Sequence, residues 1–473
     1  MTEHVQSAGL LPAQESHWEL MCGLSPDAPG ASRFIVVDSR FIDAPMDYEA
    51  VKLAFADVTR RQDALRLVFD TIDYEPRMRI EAAAEPQVEY LDLSALGTAA
   101  QHDRIAELVY WENNRSFDLL RGPAWHAWFV RLAADRHFLN VCLSEAIADG
   151  WATKALVEDL LAGYAAHVGT AAPPEPALSF AQMDAIQRHR MEPSGDRLEF
   201  WRERLLPLPD GSLFQARTTA RTSVLTRDRI DVTFTPELLA TLSRRAWQSR
   251  TTVYMVLMAA YHALLSLETG QERTVLSTVT LGRASRRERR SPLPCTVDPY
   301  VVTTLTPGTS LHEAIRRTHA AMVEAMSNLV PYTSLARAIN PAFDSQRPWP
   351  DSDLCHGNFY AAAFGDSDIT LAGMRVRAPL LPGREPAGGS TPTLHAGTLP
   401  SAQQDVWTAY CGPSMEVYPE RDGCALIYNG EMYAHEEMKS YMDSYLWVVE
   451  EMAASPETTM RELSERYALR DAR

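Results

Sequence analysis

Residues 144–150 read SEAIADG, which sets a hydroxyl at Ser144, carboxylates at Glu145 and Asp149, and a bare backbone at Gly150. Those types at that spacing suit acyl transfer. A glutamate starting near a pKa of about 4.3 and lifted by burial toward about 6–7 can take and return a proton. A backbone N–H beside Gly150 can hold the oxyanion that forms when a carbonyl is attacked. Glycine also fits a tight strand-to-helix turn where a side chain would block the substrate.

The flanking residues must position this loop. HFLNVCLS (137–144) and AWHAWFVRLA (124–133) both read as strands, and the polar ADR between them predicts a hairpin. After the loop, WATKALVEDLLAGYAAHV sets Leu156, Leu160, Leu161 and Tyr164 on one helical face. The loop is therefore expected to be held at both ends. RFIVVDSR (33–40) adds a strand, and Val51, Phe55 and Val58 mark a helix over 47–60.

TAAPPEPALS (170–179) is unsuited to regular structure and divides the chain into expected lobes 1–172 and 173–473. The second part predicts a helical stretch over 180–205, a strand RIDVTFT (229–235), the helices PELLATLSRRAWQS and VYMVLMAAYHALLSLE, and a strand TVLSTVTLG ending at Arg283. PLLPGREPAGGSTPTLHAGTLP (379–400) is too long for a hairpin turn and reads as a lid or bridging loop.

Composition narrows the function classes. With 473 residues the chain exceeds what one hydrophobic core usually supports, and 46% hydrophobic with 23% charged residues is ordinary for a globular protein. The start MTEHVQSAGLLPAQ has no basic segment followed by an apolar one, so a cytoplasmic location is expected, and no apolar run is long enough to span a membrane. A formal charge of −17 disfavours nucleic acid and anionic membrane as partners, and GRASRRERR (282–290) reads as a solvated loop. The six cysteines (22, 142, 295, 355, 411 and 424) form no CxxC pair, so no structural zinc or disulfide framework is expected. No HExxH, GxSxG elbow, Walker loop or dinucleotide fingerprint supports metal, serine-hydrolase, ATP or nicotinamide chemistry. His126, His356 and His395 read as packing or surface residues, not as a replacement base.

Several segments in order resemble the condensation domains of nonribosomal peptide synthetases, relatives of chloramphenicol acetyltransferase. LLPAQESHW (10–18) resembles the opening motif through Leu11, Ala13, Gln14 and Trp18. RRQDALRLVF (60–69) resembles the next, with Gln62 and Asp63 where histidine and glutamate are usual. FDLLRGPAWHAWFVRLAADRHFLNVCLSEAIADGWA (117–152) follows the central region. CTVDPYVVTTL (295–305), NLVPYTSLARAIN (328–340) and the closing segment from CALIYNGEMY onward follow the later motifs. The resemblance spans residues 10 to about 464.

It implies an α/β fold of two acetyltransferase-like lobes meeting in a V-shaped pseudo-dimer around a central tunnel. Donor and acceptor would arrive as thioesters on the phosphopantetheine arms of acyl or peptidyl carrier proteins, with a small-molecule acceptor also possible, no bound cofactor or metal, and a monomeric chain. In the family the loop reads His-His-x-x-x-Asp-Gly, so Ser144 and Glu145 stand on the two histidines, and Glu145 takes the place of the usual catalytic one. Asp149 is implied to pair with Arg283 and to hold the loop, while Trp151, Tyr300 and Thr303 are implied tunnel residues. Three readings stay open: condensation to an amide or ester with Glu145 as acid/base, another acyl-group reaction such as cyclisation, elimination or hydrolysis, and a non-catalytic module that recruits carriers or tailoring enzymes. An acyltransferase working on a soluble coenzyme A thioester is a further alternative.

Overall fold

A computed structural model describes residues 6–15, 18, 31–32, 35–70, 77–113, 115–208, 227–340, 356–361, 369–371, 373–377, 413–418, 423–430 and 433–471. The 379–400 loop, His395, Cys22, Cys355 and Cys411 lie outside the described residues.

The expected hairpin forms from Trp125–Ala133 and Arg136–Ser144, antiparallel from Trp125↔Leu143 to Ala133↔Arg136. Arg136–Ser144 pairs on its other side with Ile35–Asp43, ending at Ile35↔Ser144. From His137 to Ser144 every residue of this strand is buried. Both faces of the strand are therefore covered, which fits its apolar residues Phe138, Leu139, Val141, Cys142 and Leu143, while His137, Asn140 and Ser144 are buried polar positions within it. In spatial order the six-stranded sheet runs Ile369–Leu371, Met374–Arg377, Ile35–Asp43, Arg136–Ser144, Trp125–Ala133 and Val88–Asp92.

The second six-stranded sheet runs Arg227–Thr233, Gly423–Asn429, Ser414–Tyr418, Gly357–Ala361, Arg273–Ser277 and Tyr300–Thr304. Its two parallel pairings flank Gly357–Ala361. The helix Val253–Thr269, apolar nearly all round, fills the core beneath this sheet together with His435–Ala454. The expected α/β class is therefore present, and among the described residues a three-stranded and a two-stranded sheet accompany the two large ones.

Segments of the second part also reach the first sheet. Met374–Arg377 pairs antiparallel with Ile35–Asp43, and Leu178, Phe180, Met183, Leu293, Cys295, Met374 and Val376 join the core under Trp125 and Leu143. The 170–179 stretch carries no regular element, as its prolines require, and the stretch expected helical over 180–205 breaks into Phe180–Arg190 and Gly195–Leu205. The basic run at 282–290 is solvated as expected at Arg286, Arg287 and Arg289, but not throughout. Ser285 and Glu288 form a reciprocal capping box that starts the one-turn helix Arg286–Arg289, and both Arg283 and Glu288 are buried.

Gln62 and Asp63, the two departures in RRQDALRLVF, are both engaged in structure. Gln62 Nε2 donates to Asp159 Oδ2 at 2.6 Å, tying the helix Tyr48–Arg61 to the helix Gly150–His167. Asp63 Oδ2 accepts from Phe180 N at 2.8 Å and fixes the start of Phe180–Arg190.

Candidate functional site

Ser144 is the last residue of the central strand, and Gly150 opens the helix Gly150–His167. The five residues between make a compact turn. Ser144 O accepts from Ile147 N at 3.0 Å and Ala148 N at 3.2 Å, while Ser144 Oγ accepts from Ala146 N at 3.2 Å. Ser144 is fully buried and its hydroxyl shapes the turn; Glu145 retains partial exposure.

Asp149 is the N-cap of the helix: its Oδ1 accepts from Ala152 N at 2.9 Å. Its Oδ2 takes three more donors, Arg283 Nη1 at 2.8 Å, Cys295 N at 2.7 Å and Thr296 N at 3.0 Å. Four donors therefore converge on this carboxylate, three of them on Oδ2. Its geometry is that of a clamp. Arg283, with 0% of its side chain exposed, completes the clamp by donating to Leu281 O at 3.1 Å, Ser291 O at 3.4 Å and Leu293 O at 2.6 Å. Burial works against the guanidinium charge, but Asp149 outweighs it and the Arg283 pKa is raised. The structure thus brings Ser144, Glu145, Asp149, Gly150 and Arg283 together at one joint between the two parts of the chain.

Further residues hold this joint. Gln14 Nε2 donates to Ala146 O at 2.6 Å, so the opening segment reaches into the SEAIADG turn itself. Gln187 donates to Pro294 O at 2.7 Å and accepts from Ala13 N at 3.1 Å, bridging that segment to the loop that carries Cys295. Arg190 pairs with Glu288 at 2.8 Å and donates to Gly282 O. Gln14 belonged to a quoted motif and was findable; a backbone N–H such as that of Cys295 or Thr296 leaves no trace in residue types.

The other expected site residues are spread out. Trp151 donates its indole N–H to Arg289 O at 2.7 Å and carries the Lys154 ammonium 5.0 Å above its ring, which ties the helix start to the short helix of the second part. Tyr300 sits in a small apolar core with Trp201, Leu205, Val275, Leu335 and Ile339. Thr303, three residues along the same strand, projects to the opposite face by strand alternation, and its buried hydroxyl has no partner among the described residues. One tunnel wall cannot contain both side chains.

His126 and His356 are both engaged in structure elsewhere. His126 lies between Glu112 and Glu89, at 3.0 and 3.2 Å. His356 accepts from Val275 N at 3.0 Å, and burial holds its pKa down at about 4. Among the described residues no cluster of histidine, cysteine, aspartate or glutamate could hold a metal ion, and no helix is long and apolar enough to cross a membrane. Burial pushes the Cys295 thiol up to about 12, so it stays neutral.

Comparison with known proteins places this geometry. A family model described as the condensation domain matches residues 24–355, more than half of the chain. The chain is 31% identical over 264 residues to phosphinothricin tripeptide synthetase PhsC of Streptomyces viridochromogenes, covering 54% of this chain and 24% of that protein. To PhsB of the same organism it is 27% identical over 319 residues, covering 66% of this chain and 27% of that one. The chain thus spans about a quarter of the length of these curated relatives. Among solved structures, SgcC5 from Streptomyces globisporus superposes with a TM-score of 0.73 at 22% identity, covering 96% of this chain and 100% of that one. The X-domain from teicoplanin biosynthesis gives 0.72 at 18% identity, covering 98% of each. The first condensation domain of the calcium-dependent antibiotic synthetase gives 0.70 at 16%, covering 97% and 98%. These likenesses agree with a two-lobe, chloramphenicol-acetyltransferase-like fold. With the family model, they lead to one conclusion: the chain belongs to the condensation-domain family.

Proposed function

We propose that this protein joins an acyl or peptidyl group, carried as a thioester on a carrier protein, to an amine or hydroxyl acceptor, with Glu145 as the acid/base where a histidine is usual. The observation that carries the reading is the clamp of four hydrogen bonds on Asp149. It holds the strand-to-helix turn rigidly, with Gly150 at the helix start and Glu145 partly exposed between buried neighbours. A preorganised turn of that kind supplies positioning and an N–H donor for the oxyanion, which together are a large share of acyl-transfer catalysis. Lobes 1–172 and 173–473 then form the two walls of the reaction space, and Asp149 with Arg283 acts as their structural tie.

The test is turnover with the same acyl donor presented on a carrier protein and as a free coenzyme A thioester. Product formed from the carrier-bound donor, with the free thioester a poor substitute, supports the reading; equal use of both makes the protein a soluble-thioester acyltransferase instead. A second reading, recruitment of another protein without catalysis, draws on the likeness in fold to the X-domain from teicoplanin biosynthesis, which has also been solved in complex with OxyB. Absence of product from either donor, with carrier binding retained, supports that second reading.

A further inference from the structure

Carboxylates buried in this protein are met by donors, as the cost of burying an unpaired charge requires. Glu112 takes Arg115 at 2.6 and 2.7 Å and Trp128 at 2.9 Å. Asp159 takes Gln62 and Arg61, Glu288 takes Arg190 and the N–H groups of Ala284 and Ser285, and Asp149 takes its four donors. Asp298 departs from this pattern. Its side chain is half-buried, and no hydrogen bond or ion pair reaches it among the described residues. Burial alone pushes its carboxyl up to about 7, with no neighbouring charge contributing. Asp298 thus keeps accessible surface with no described donor to pair it.

The backbone around Asp298 is fixed on both sides. Cys295 N and Thr296 N are bound to Asp149, and Val297 forms an antiparallel bridge with Thr280, with Thr280 N donating to Val297 O at 2.9 Å. Pro299 follows, restricting Asp298 to extended backbone, and Pro299 O accepts from Thr278 N at 3.1 Å. Two residues of chain span at most roughly 7 Å, so Asp298 stays beside the clamp at the end of the SEAIADG turn.

We propose that Asp298 is the counter-ion that receives the amine of the acceptor substrate and holds its nitrogen beside the loop. This rests on the acyl-transfer reading above. A carboxylate repels the phosphate of a phosphopantetheine arm and a developing oxyanion, so of the two substrates only a cationic acceptor complements it. The protonated carboxyl meeting a neutral amine, and the carboxylate meeting an ammonium, give the same ion pair; one proton moves and no covalent bond changes. A hydroxyl acceptor has no charge to offer, so the site favours amines over alcohols.

The groups around Asp298 leave this pairing as the titrating event. Asp149 and Arg283 neutralise each other, the Cys295 thiol is neutral, and Val297, Pro299, Tyr300 and Thr280 carry no charge near neutral pH. The ionised form that binds an ammonium is lost as pH falls through about 7, so ammonium affinity weakens on acidification.

Isothermal titration with the N-acetylcysteamine thioesters of alanine and of lactate, which differ only in the amine and hydroxyl, tests the proposal. Near neutral pH the alanine form should bind about tenfold or more tighter, the low end for a desolvated charge pair. Asp298→Asn should erase that preference while leaving lactate affinity unchanged, and Asp298→Glu should restore part of it. A preference that survives Asp298→Asn, equal affinities in the unaltered protein, or binding of neither probe overturns the proposal. Amide formed on charged carriers with the same acceptor KM in Asp298→Asn overturns it while leaving acyl transfer standing. Amine preference that depends on Asp298, in a protein that makes no acyl product, supports the amine site and removes the acyl-transfer reading instead.

Discussion

Replacing Arg283 by methionine keeps a long side chain and removes every bond of the clamp that a cation provides. Four donated hydrogen bonds disappear, to Asp149 Oδ2 at 2.8 Å, Leu281 O at 3.1 Å, Ser291 O at 3.4 Å and Leu293 O at 2.6 Å. Asp149 keeps its three backbone donors but loses the Arg283 cation in a site where the two side chains are 6% and 0% exposed. Solvent therefore screens the loss very little. Breaking a buried pair by removing one partner costs about 3–5 kcal/mol, and stranding a buried carbonyl adds about 1–3 kcal/mol. The low end, about 3 kcal/mol, corresponds to roughly 150-fold in an opening equilibrium. Native-state hydrogen exchange reads this at the amides the clamp fixes, Ala152, Cys295 and Thr296, whose protection should fall by at least roughly that factor. Global unfolding breaks the clamp as well and loses the same free energy, which in a chain of this length moves the melting temperature by only a few degrees per kcal/mol. A change of under about threefold at those amides would refute the view that this pair holds the turn.

Three other perturbations probe the frame and the site. Gln14→Leu strands Ala146 O, should cost about 1–3 kcal/mol in thermal unfolding, and should lower turnover more than acceptor binding. For Glu112, burial raises the carboxyl pKa, but hydrogen bonds from His126 and Arg115 outweigh it and bring it to about 2. Stability from this group is thus fully present above its unfolded value near 4.5 and is lost as pH falls from there toward about 2; Glu112→Gln should flatten acid unfolding over that window. Thr303→Val removes a buried hydroxyl that has no partner among the described residues, so the melting temperature should hold or rise, and a loss above about 1 kcal/mol would show that the hydroxyl is satisfied in solution.

The strand, turn and helix around SEAIADG were legible because two periodicities meet there, an all-buried strand and an apolar helix, with Asp149 in the N-cap position. Family resemblance supplied Arg283 as the partner of Asp149. What residue types did not reveal was the other half of the clamp, since the N–H groups of Cys295 and Thr296 are the same in any sequence. The basic run at 282–290 looked solvated because charge normally is, yet Arg283 and Glu288 are buried, paired with Asp149 and Arg190. Tyr300 and Thr303 were grouped by their place in a motif, whereas strand alternation alone separates residues three apart onto opposite faces. Asp298 lies in the same segment, and the absence of donors to it among the described residues distinguishes it from an ordinary loop aspartate.

In the function proposed above, the altered loop still transfers acyl groups and Glu145 moves the proton. Intact-mass spectrometry of an acyl-loaded and an aminoacyl-loaded carrier protein, incubated together with the unaltered protein or with Glu145→Gln, tests it most directly. The expected result is a mass gain on the aminoacyl carrier equal to the transferred acyl group, strongly reduced by Glu145→Gln while carrier binding is retained. Carriers that bind with no mass change under any loading, or a product formed equally well by Glu145→Gln, would contradict it.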